Sequence, residues 1–228
     1  MENEFLNFPF SIFHFPFMKG NLIIISSPSG GGKGTLIKEV LKTTANIGYS
    51  VSYTTRAMRD GEENERDYFF VSHEEFENKI SHNDFLEYAV VHGNFYGTSK
   101  TQVNKDINNG RDVILEIDVQ GAENIMKDFP EAVSIFILPP TYEILRERLT
   151  KRATETHENL ALRLRNSFGE VQKYQEFEYI VINDDRFRAT ADLQTIILAE
   201  RLKRVRQIGA IQGILDSFDI SKFNTVGD

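Results

Sequence analysis

Four short apolar runs punctuate the chain, at Leu22–Ser26, Val113–Ile117, Ser134–Leu138 and Tyr179–Ile182. They lack polar alternation, as strands of a parallel sheet covered on both faces do. Between them, apolar positions recur at helical spacing. Thr35–Lys42 carries Leu36, Ile37, Val40 and Leu41 on one stripe. Asn159–Tyr174 repeats Leu160, Leu164, Phe168 and Val171, and Leu193–Val205 repeats Ile196, Ile197 and Leu202. Ser72-His73-Glu74-Glu75 has the form of a capping box and opens a helix through Ile80. A helix over Thr98–Asn108 runs into Asn109-Gly110, a left-handed stop signal. Strands alternating with helices predict an α/β fold, a parallel sheet joined by right-handed crossovers.

Two stretches break the alternation. Residues 53–97 are polar, glycine-punctuated and aromatic, and residues 140–166 are strongly charged. Both read as insertions over the C-terminal edge of the sheet, where ligands of α/β folds sit. The Phe-rich start, Phe5 to Phe17, is the oddest composition in the chain. Pro9 and Pro16 argue against a helix, and the absence of a basic leader and a small-residue cleavage site argues against a signal peptide. It reads either as a surface extension, with Met18 as an alternative start, or as an aromatic docking segment for a partner.

A length of 228 residues fits one elaborated domain. With 40% hydrophobic and 26% charged residues, the chain can bury a real core. The net charge of −8 argues against general attraction to nucleic acid or to an anionic membrane, so a phosphate-binding surface must be a local basic patch. No run approaches the roughly 18 apolar residues of a membrane span. There is no cysteine, which excludes disulfides and thiolate metal sites. The five histidines have no metal-ligand spacing, and neither H-E-x-x-H nor G-x-S-x-G occurs.

The strongest chemical signal follows the first strand. Leu22–Ser26 leads into Ser27-Pro28-Ser29-Gly30-Gly31-Gly32-Lys33-Gly34-Thr35 and then a helix. Strand, glycine-rich turn, lysine and helix N-terminus make a phosphate loop: the backbone wraps an anion with N–H groups pointing inward, where Cβ atoms would obstruct. The strict pattern G-x-x-x-x-G-K-[ST] fails twice. Ser27 replaces the first glycine, and Gly34 replaces the hydroxyl that would ligate magnesium, with Thr35 one residue later.

The order of motifs resembles the guanylate kinase family, over residues 20–207. The resemblance is carried by Ser-Gly-Gly-Gly-Lys at 29–33, Val-Ser-Tyr-Thr-Thr-Arg at 51–56 and Arg59-Asp60-Gly61-Glu62. It continues through Asp67-Tyr68-Phe69-Phe70, Phe85-Leu86-Glu87, Tyr96-Gly97-Thr98, Glu116-Ile117-Asp118-Val119-Gln120-Gly121 and Val181-Ile182-Asn183-Asp184-Asp185. Each is weak alone; eight in the family's order and spacing are specific. The glycine after the lysine is similar to adenylate kinases, where metal is held largely by phosphate oxygens and water.

The resemblance implies a P-loop NTPase-type parallel sheet flanked by helices, with a GMP-binding insertion and a lid. It implies the reaction ATP + GMP ⇌ ADP + GDP with Mg²⁺, use of dGMP as a further acceptor, a place in purine nucleotide metabolism, and a cytoplasmic location. The expected parts are a Phe-rich extension (1–19), a core (20–52, 98–139 and 167–207), a GMP-binding subdomain (53–97), a lid (140–166) and a C-terminal tail (208–228). For ATP the expected residues are Ser29, Gly30, Gly31, Gly32, Lys33, Gly34, Thr35 and Asn183, and Asn183 could instead be a cap or turn residue. For GMP they are Ser52, Arg56, Arg59, Tyr68, Glu87, Tyr96, Thr98 and Asp118. Arg56 and Arg59 could instead pair with Asp60, Glu62 or Asp67 on a solvated loop, Glu87 could be an exposed helix acid, and Asp118 could also cap the following helix. Lys33, Arg59, Arg148, Arg152 and Arg163 are the expected catalytic cations; residues 146–165 carry six Lys/Arg against three acids. Thr35 is a weak metal candidate, and Glu116 and Glu62 align with acidic positions near the metal and the monophosphate. The rival readings are a guanylate-kinase-like module that binds peptides without catalysis, and a kinase of the adenylate or thymidylate type.

Overall fold

The computed structural model describes residues 19–91, 93–151 and 157–218. The Phe-rich start through Met18, Arg152 and residues 219–228 lie outside the described residues.

The central sheet has five parallel strands, β1 (Leu22–Ser26), β2 (Ile47–Tyr49), β7 (Asp112–Glu116), β8 (Val133–Leu138) and β9 (Tyr179–Ile182), in the order β2-β7-β1-β8-β9. All five residues of β1 are buried, which is why the run is continuously apolar. Ile23 and Ile25 pack on one face with α1 (Lys33–Thr43) and α7 (Arg186–Arg201), through Leu36, Ile37, Val40, Leu193 and Ile197. Leu22 and Ile24 pack on the other with α3 (Lys100–Asn108) and α4 (Val119–Asp128), through Val103, Ala122 and Ile125. Gly110 closes α3 at φ 75°, the conformation that Asn109-Gly110 predicted.

Residues 53–97 contain more regular structure than their composition suggested. The strands β3 (Tyr53–Thr54), β4 (Phe69–Phe70), β5 (Phe85–Val91) and β6 (Asn94–Ser99) form a second sheet in the order β4-β3-β6-β5. Its buried side is aromatic: Phe76 of α2 (His73–Ser81) stacks on Phe85 and Phe95, at centroid distances of 4.4 and 5.1 Å. The Ser72 hydroxyl accepts from the Glu75 N–H and starts α2, as the capping box predicted. Gly97 has no room for a side chain, since a Cβ there would lie 2.9 Å from both Phe76 and Phe85.

Over the C-terminal edge of the central sheet lie α5 (Tyr142–Lys151) and α6 (His157–Gln172). The boundaries expected at 97 and 166 fall inside β6 and α6. The last predicted helix starts earlier, at Arg186, because Asp185 caps it through the Arg188 N–H, and it stops sooner, at Arg201. A further helix, α8 (Ile208–Ser217), follows a short 3-10 turn and leaves Ile208, Ile214 and Leu215 largely exposed. Among the described residues no helix is long and apolar enough to cross a membrane.

Candidate active site

The turn between β1 and α1 wraps a cavity of about 230 Å³, lined by Ser27 to Gly34 together with Glu116, Asp118 and Glu170. Gly30 and Gly32 adopt φ of 85° and 92°, a left-handed conformation open to glycine at little cost. At Gly32 a Cβ would lie 2.2 Å from Asn183 Nδ2, so the position admits no side chain at all. Gly32 is also the N-cap of α1 and makes no side-chain cap, leaving N–H groups of the first turn for an anion.

Lys33 opens α1 and turns back across the cavity, donating from Nζ to the Ile117 carbonyl at 2.6 Å. Burial pulls its pKa below the usual lysine range, while Glu116, Asp118 and Glu170 pull the other way. The Lys33 nitrogen thus lies buried beside three carboxylates at the loop.

Two sequence-predicted residues grip the loop from behind. Asn183, buried at the end of β9, donates its amide to the Gly31 carbonyl at 2.8 Å, and its N–H to the Leu138 carbonyl. Arg148 of α5 donates to the Asn183 carbonyl at 2.9 Å and to the Gly31 carbonyl at 3.4 Å. In this state both act on the loop itself. Arg163 of α6 reaches the other side, donating to the Ser29 hydroxyl. Thr35 is exposed on the first turn of α1.

The second cluster lies on the small sheet. Arg56 is paired with Glu62 through Nη2, at 2.8 and 3.0 Å, and lies over the Tyr68 ring at 5.3 Å. Tyr96 meets Tyr68 edge to face. Arg56, Tyr68 and Tyr96 therefore converge, with Ser52 half-buried just ahead of that insertion. Arg59 is exposed, and its backbone joins the group, the N–H donating to the Glu62 carboxylate and the carbonyl accepting the Glu62 N–H. The alternative of an Arg56–Glu62 pair thus exists in the structure, alongside the convergence of the phosphate candidates.

Glu87 is no exposed helix acid. It lies half-buried on β5, where Thr98 Oγ1 donates to its Oε1 at 2.9 Å. Burial raises its pKa to about 7, the nearby Asp118 charge adds to that, and the Thr98 hydrogen bond opposes it. Asp118 caps α4, accepting the Gly121 N–H at 2.7 Å. A Cβ at Gly121 would lie 3.4 Å from both Glu87 Oε2 and Asp118 Oδ1. The two carboxylates thus meet at one helix N-terminus, whose partial positive charge suits them.

Sequence reasoning missed Tyr49, Ser167 and Glu170. Tyr49 sits on the unpredicted strand β2 and donates to Glu116 Oε2 at 3.3 Å; burial and the Glu116 charge hold it neutral. Ser167 and Glu170 share the Arg163 stripe of α6, and that spacing was the only available signal.

A family model described as guanylate kinase matches residues 19–200. The chain belongs to the guanylate kinase family. A guanylate kinase of Clostridium tetani is 47% identical over 204 residues, covering 90% of this chain and 94% of the relative. One of Neisseria meningitidis serogroup A is 48% identical over 201 residues, covering 88% and 98%. The crystal structure of guanylate kinase from Anaplasma phagocytophilum superposes with a TM-score of 0.72 at 34% identity, over 88% of this chain and 96% of that one. The Phe-rich start and α8 lie outside the residues that the family model matches.

Proposed function

We propose that the two clusters are the two halves of one phosphotransfer site, with the phosphate loop holding ATP and the small sheet holding GMP. The reaction is that of a nucleoside monophosphate kinase, in which ATP phosphorylates GMP to give GDP. A phosphate oxygen of GMP attacks the γ-phosphorus of ATP in line. The bond to the bridging oxygen of ADP breaks, and no covalent enzyme intermediate forms.

The observation that carries this assignment is the position of Asp118. It lines the phosphate cavity and also stands beside Glu87, so one residue joins the nucleotide loop to the acidic pair. Guanine presents N1–H and the 2-amino group as adjacent donors, which a carboxylate accepts together. Adenine presents an acceptor at N1, which the same carboxylate repels. Glu87, with Thr98 fixing one of its oxygens, is assigned as the guanine reader and Asp118 as its companion. Ser52, Arg56, Arg59, Tyr68 and Tyr96 are assigned to the GMP phosphate. Arg56 would exchange the Glu62 carboxylate for the phosphate dianion, a like-for-like replacement of acceptors.

Ser29 to Thr35 are assigned to the ATP phosphates, with Asn183 and Arg148 keeping the loop in shape. Lys33, Arg59, Arg148, Arg152 and Arg163 would spread the charge of the transferring phosphoryl group. Closure of the 53–97 insertion and the 140–166 lid over the core would exclude water.

Magnesium fits this site as a companion of the phosphates rather than as a protein-caged ion. Among the described residues no cluster of three or more acidic, His or Cys side chains could hold a metal. A Cβ on Gly34 would stand 3.3 Å from Glu116 Oε1, so the glycine leaves space beside that carboxylate. Glu116 is the residue that would face the ion or its water shell. When bound, the ion supplies charge neutralisation to the polyphosphate. dGMP is expected as a second acceptor, since no assigned residue addresses the ribose. We place the enzyme in the cytoplasm, with its nucleotide substrates.

A coupled assay with ATP and a panel of GMP, dGMP, AMP, UMP and dTMP tests the reading. GMP and dGMP are expected to turn over at least about a hundredfold better than the rest, the discrimination that paired polar groups deliver. Turnover of AMP or dTMP at comparable rates would remove Glu87 from its role, and no turnover of any acceptor would favour the peptide-binding rival.

A further inference from the structure

One residue of the phosphate loop is held at all of its polar groups by one helix. The Ser29 N–H donates to Glu170 Oε2 at 2.9 Å. Its hydroxyl accepts from Arg163 Nη2 at 2.8 Å and Nε at 3.2 Å. Its carbonyl lies 3.2 Å from the Ser167 hydroxyl, which shares its one proton with the Arg163 carbonyl at 2.8 Å. Arg163, Ser167 and Glu170 are spaced by four and three residues, so they share one face of α6. Ser167 is fully buried in this contact. Elsewhere on the helix, Leu162 and Phe168 are 52% and 70% exposed. Leu160, Leu164 and Val171 are only half-buried, so the polar contacts on Ser29 add to a modest apolar one in placing the helix.

Of the three contacts, the Glu170 bond is the one made to a backbone N–H of the loop, across the full reach of the glutamate side chain. Glu170 also lines the phosphate cavity, where its charge acts on Lys33. We propose that Glu170 is a positioning residue: by accepting the Ser29 amide it sets α6, and with it the Arg163 guanidinium, against the phosphate loop. The inference rests on the reading of Arg163 as a lid arginine of the transfer step. Glu170 touches no reacting atom and acts through Arg163.

The geometry makes reach, not charge, the requirement. Glu170→Gln keeps an acceptor oxygen at the same length and loses the charge. Glu170→Asp keeps the charge and falls short by one methylene. Steady-state kinetics of both variants, of Arg163→Ala and of the Glu170→Asp/Arg163→Ala double variant test the proposal, with melting temperatures to confirm folding. Glu170→Asp is expected to lower kcat about ten- to hundredfold, the cost of displacing a catalytic group by ~1 Å, with KM for GMP unchanged. Glu170→Gln is expected to stay within about threefold of the parent kcat, since an amide oxygen accepts the same N–H. In the Arg163→Ala background, Glu170→Asp is expected to cost nothing further, because the residue through which it acts is gone. The proposal is overturned if Gln is slower than Asp, which would make charge the requirement, or if the two losses multiply in the double variant. A distinct result, full activity of Arg163→Ala alone, would remove the lid-arginine reading and this inference with it.

Discussion

Replacing Glu87 by Gln isolates the group proposed to read the base. In the parent, one carboxylate oxygen takes the Thr98 hydroxyl at 2.9 Å; in the proposed complex the carboxylate also accepts from guanine N1–H and the 2-amino group. Each charge-assisted hydrogen bond is worth about 1.5–3 kcal/mol. Glutamine keeps one acceptor and turns an NH₂ donor toward a donor of the base. One bond is lost and the other becomes neutral, a cost of about 2–4 kcal/mol, or roughly 30- to 1000-fold in KM for GMP. KM for ATP, which the other cluster holds, is expected to change little. The raised pKa adds a second signature. With Glu87 at about 7, GMP affinity is expected to rise with pH toward 7 and to level off above it. The GMP phosphate, with its second pKa of about 6, contributes in the same direction. The Gln variant retains only that phosphate component, so the variant-to-parent ratio of KM should grow between pH 6 and 8. The sign for stability is opposite. The folded pKa lies above the ordinary 4.5, so this group's stabilisation is complete below about 4.5 and is lost as pH rises through about 7. Without nucleotide, the Gln variant should therefore melt higher than the parent at pH 8 and no higher at pH 4. Steady-state kinetics over that pH range, with ATP and GMP varied separately, measure the first two effects. Equal losses for ATP and GMP, or a KM ratio that is flat with pH, would refute the assignment of Glu87.

Lys33→Ala should lower kcat by about 10²–10³, the loss of one preorganised electrostatic partner of the transition state, while circular dichroism and melting temperature stay near those of the parent. Asn183→Ala removes the 2.8 Å bond to the Gly31 carbonyl from a buried site. It should cost about 1–3 kcal/mol in denaturant unfolding and raise KM for ATP more than KM for GMP, since the loop and not the small sheet loses its support.

The parts of this fold that the sequence made legible are those where burial on both sides leaves a continuous apolar run. β1, β7 and β8 are of that kind, and Ile23, Ile24 and Ile25 show why: each has a helical layer over its side chain. β9 is as apolar but lies at the sheet edge, where Ile180 and Ile182 are exposed, so the expectation of a buried strand fails there. β2 escaped because three residues, Ile47-Gly48-Tyr49, carry too little pattern to separate from a turn. The small sheet escaped because β3 and β4 are two residues long and pair with distant segments, β3 with β6 as in Thr54 with Tyr96 and β4 with β3 as in Phe69 with Tyr53. Its aromatic core was visible as composition but not as strands. Chemistry was easier to see than architecture. A phosphate loop must be contiguous, so Ser29 to Thr35 announce themselves in one window. Glu87 and Asp118, 31 positions apart, meet only in three dimensions, and Tyr49, Ser167 and Glu170 carry no local mark of their neighbours.

Gly34 is where the sequence departs most from the strict phosphate-loop pattern, and its surroundings predict the consequence. An ordinary Ser at this position would place Cβ 3.3 Å from Glu116 Oε1, tighter than a normal contact, and its hydroxyl would then donate to that carboxylate at close range. Glu116 already accepts the Tyr49 hydroxyl through its other oxygen. A hydroxyl occupied in this way is not offered to a cation, and the space that the glycine leaves for water is filled. Gly34→Ser should therefore leave the magnesium concentration for half-maximal rate unchanged or raise it, although it restores the residue type of the strict motif. A site in which the ion is caged by the protein predicts the reverse, a gain of affinity from one added oxygen ligand. Magnesium titration of the two proteins at saturating ATP and GMP separates these cases. A several-fold fall in the half-maximal concentration for Gly34→Ser would show that the missing hydroxyl is a ligand the parent lacks, and that phosphate and water do not suffice.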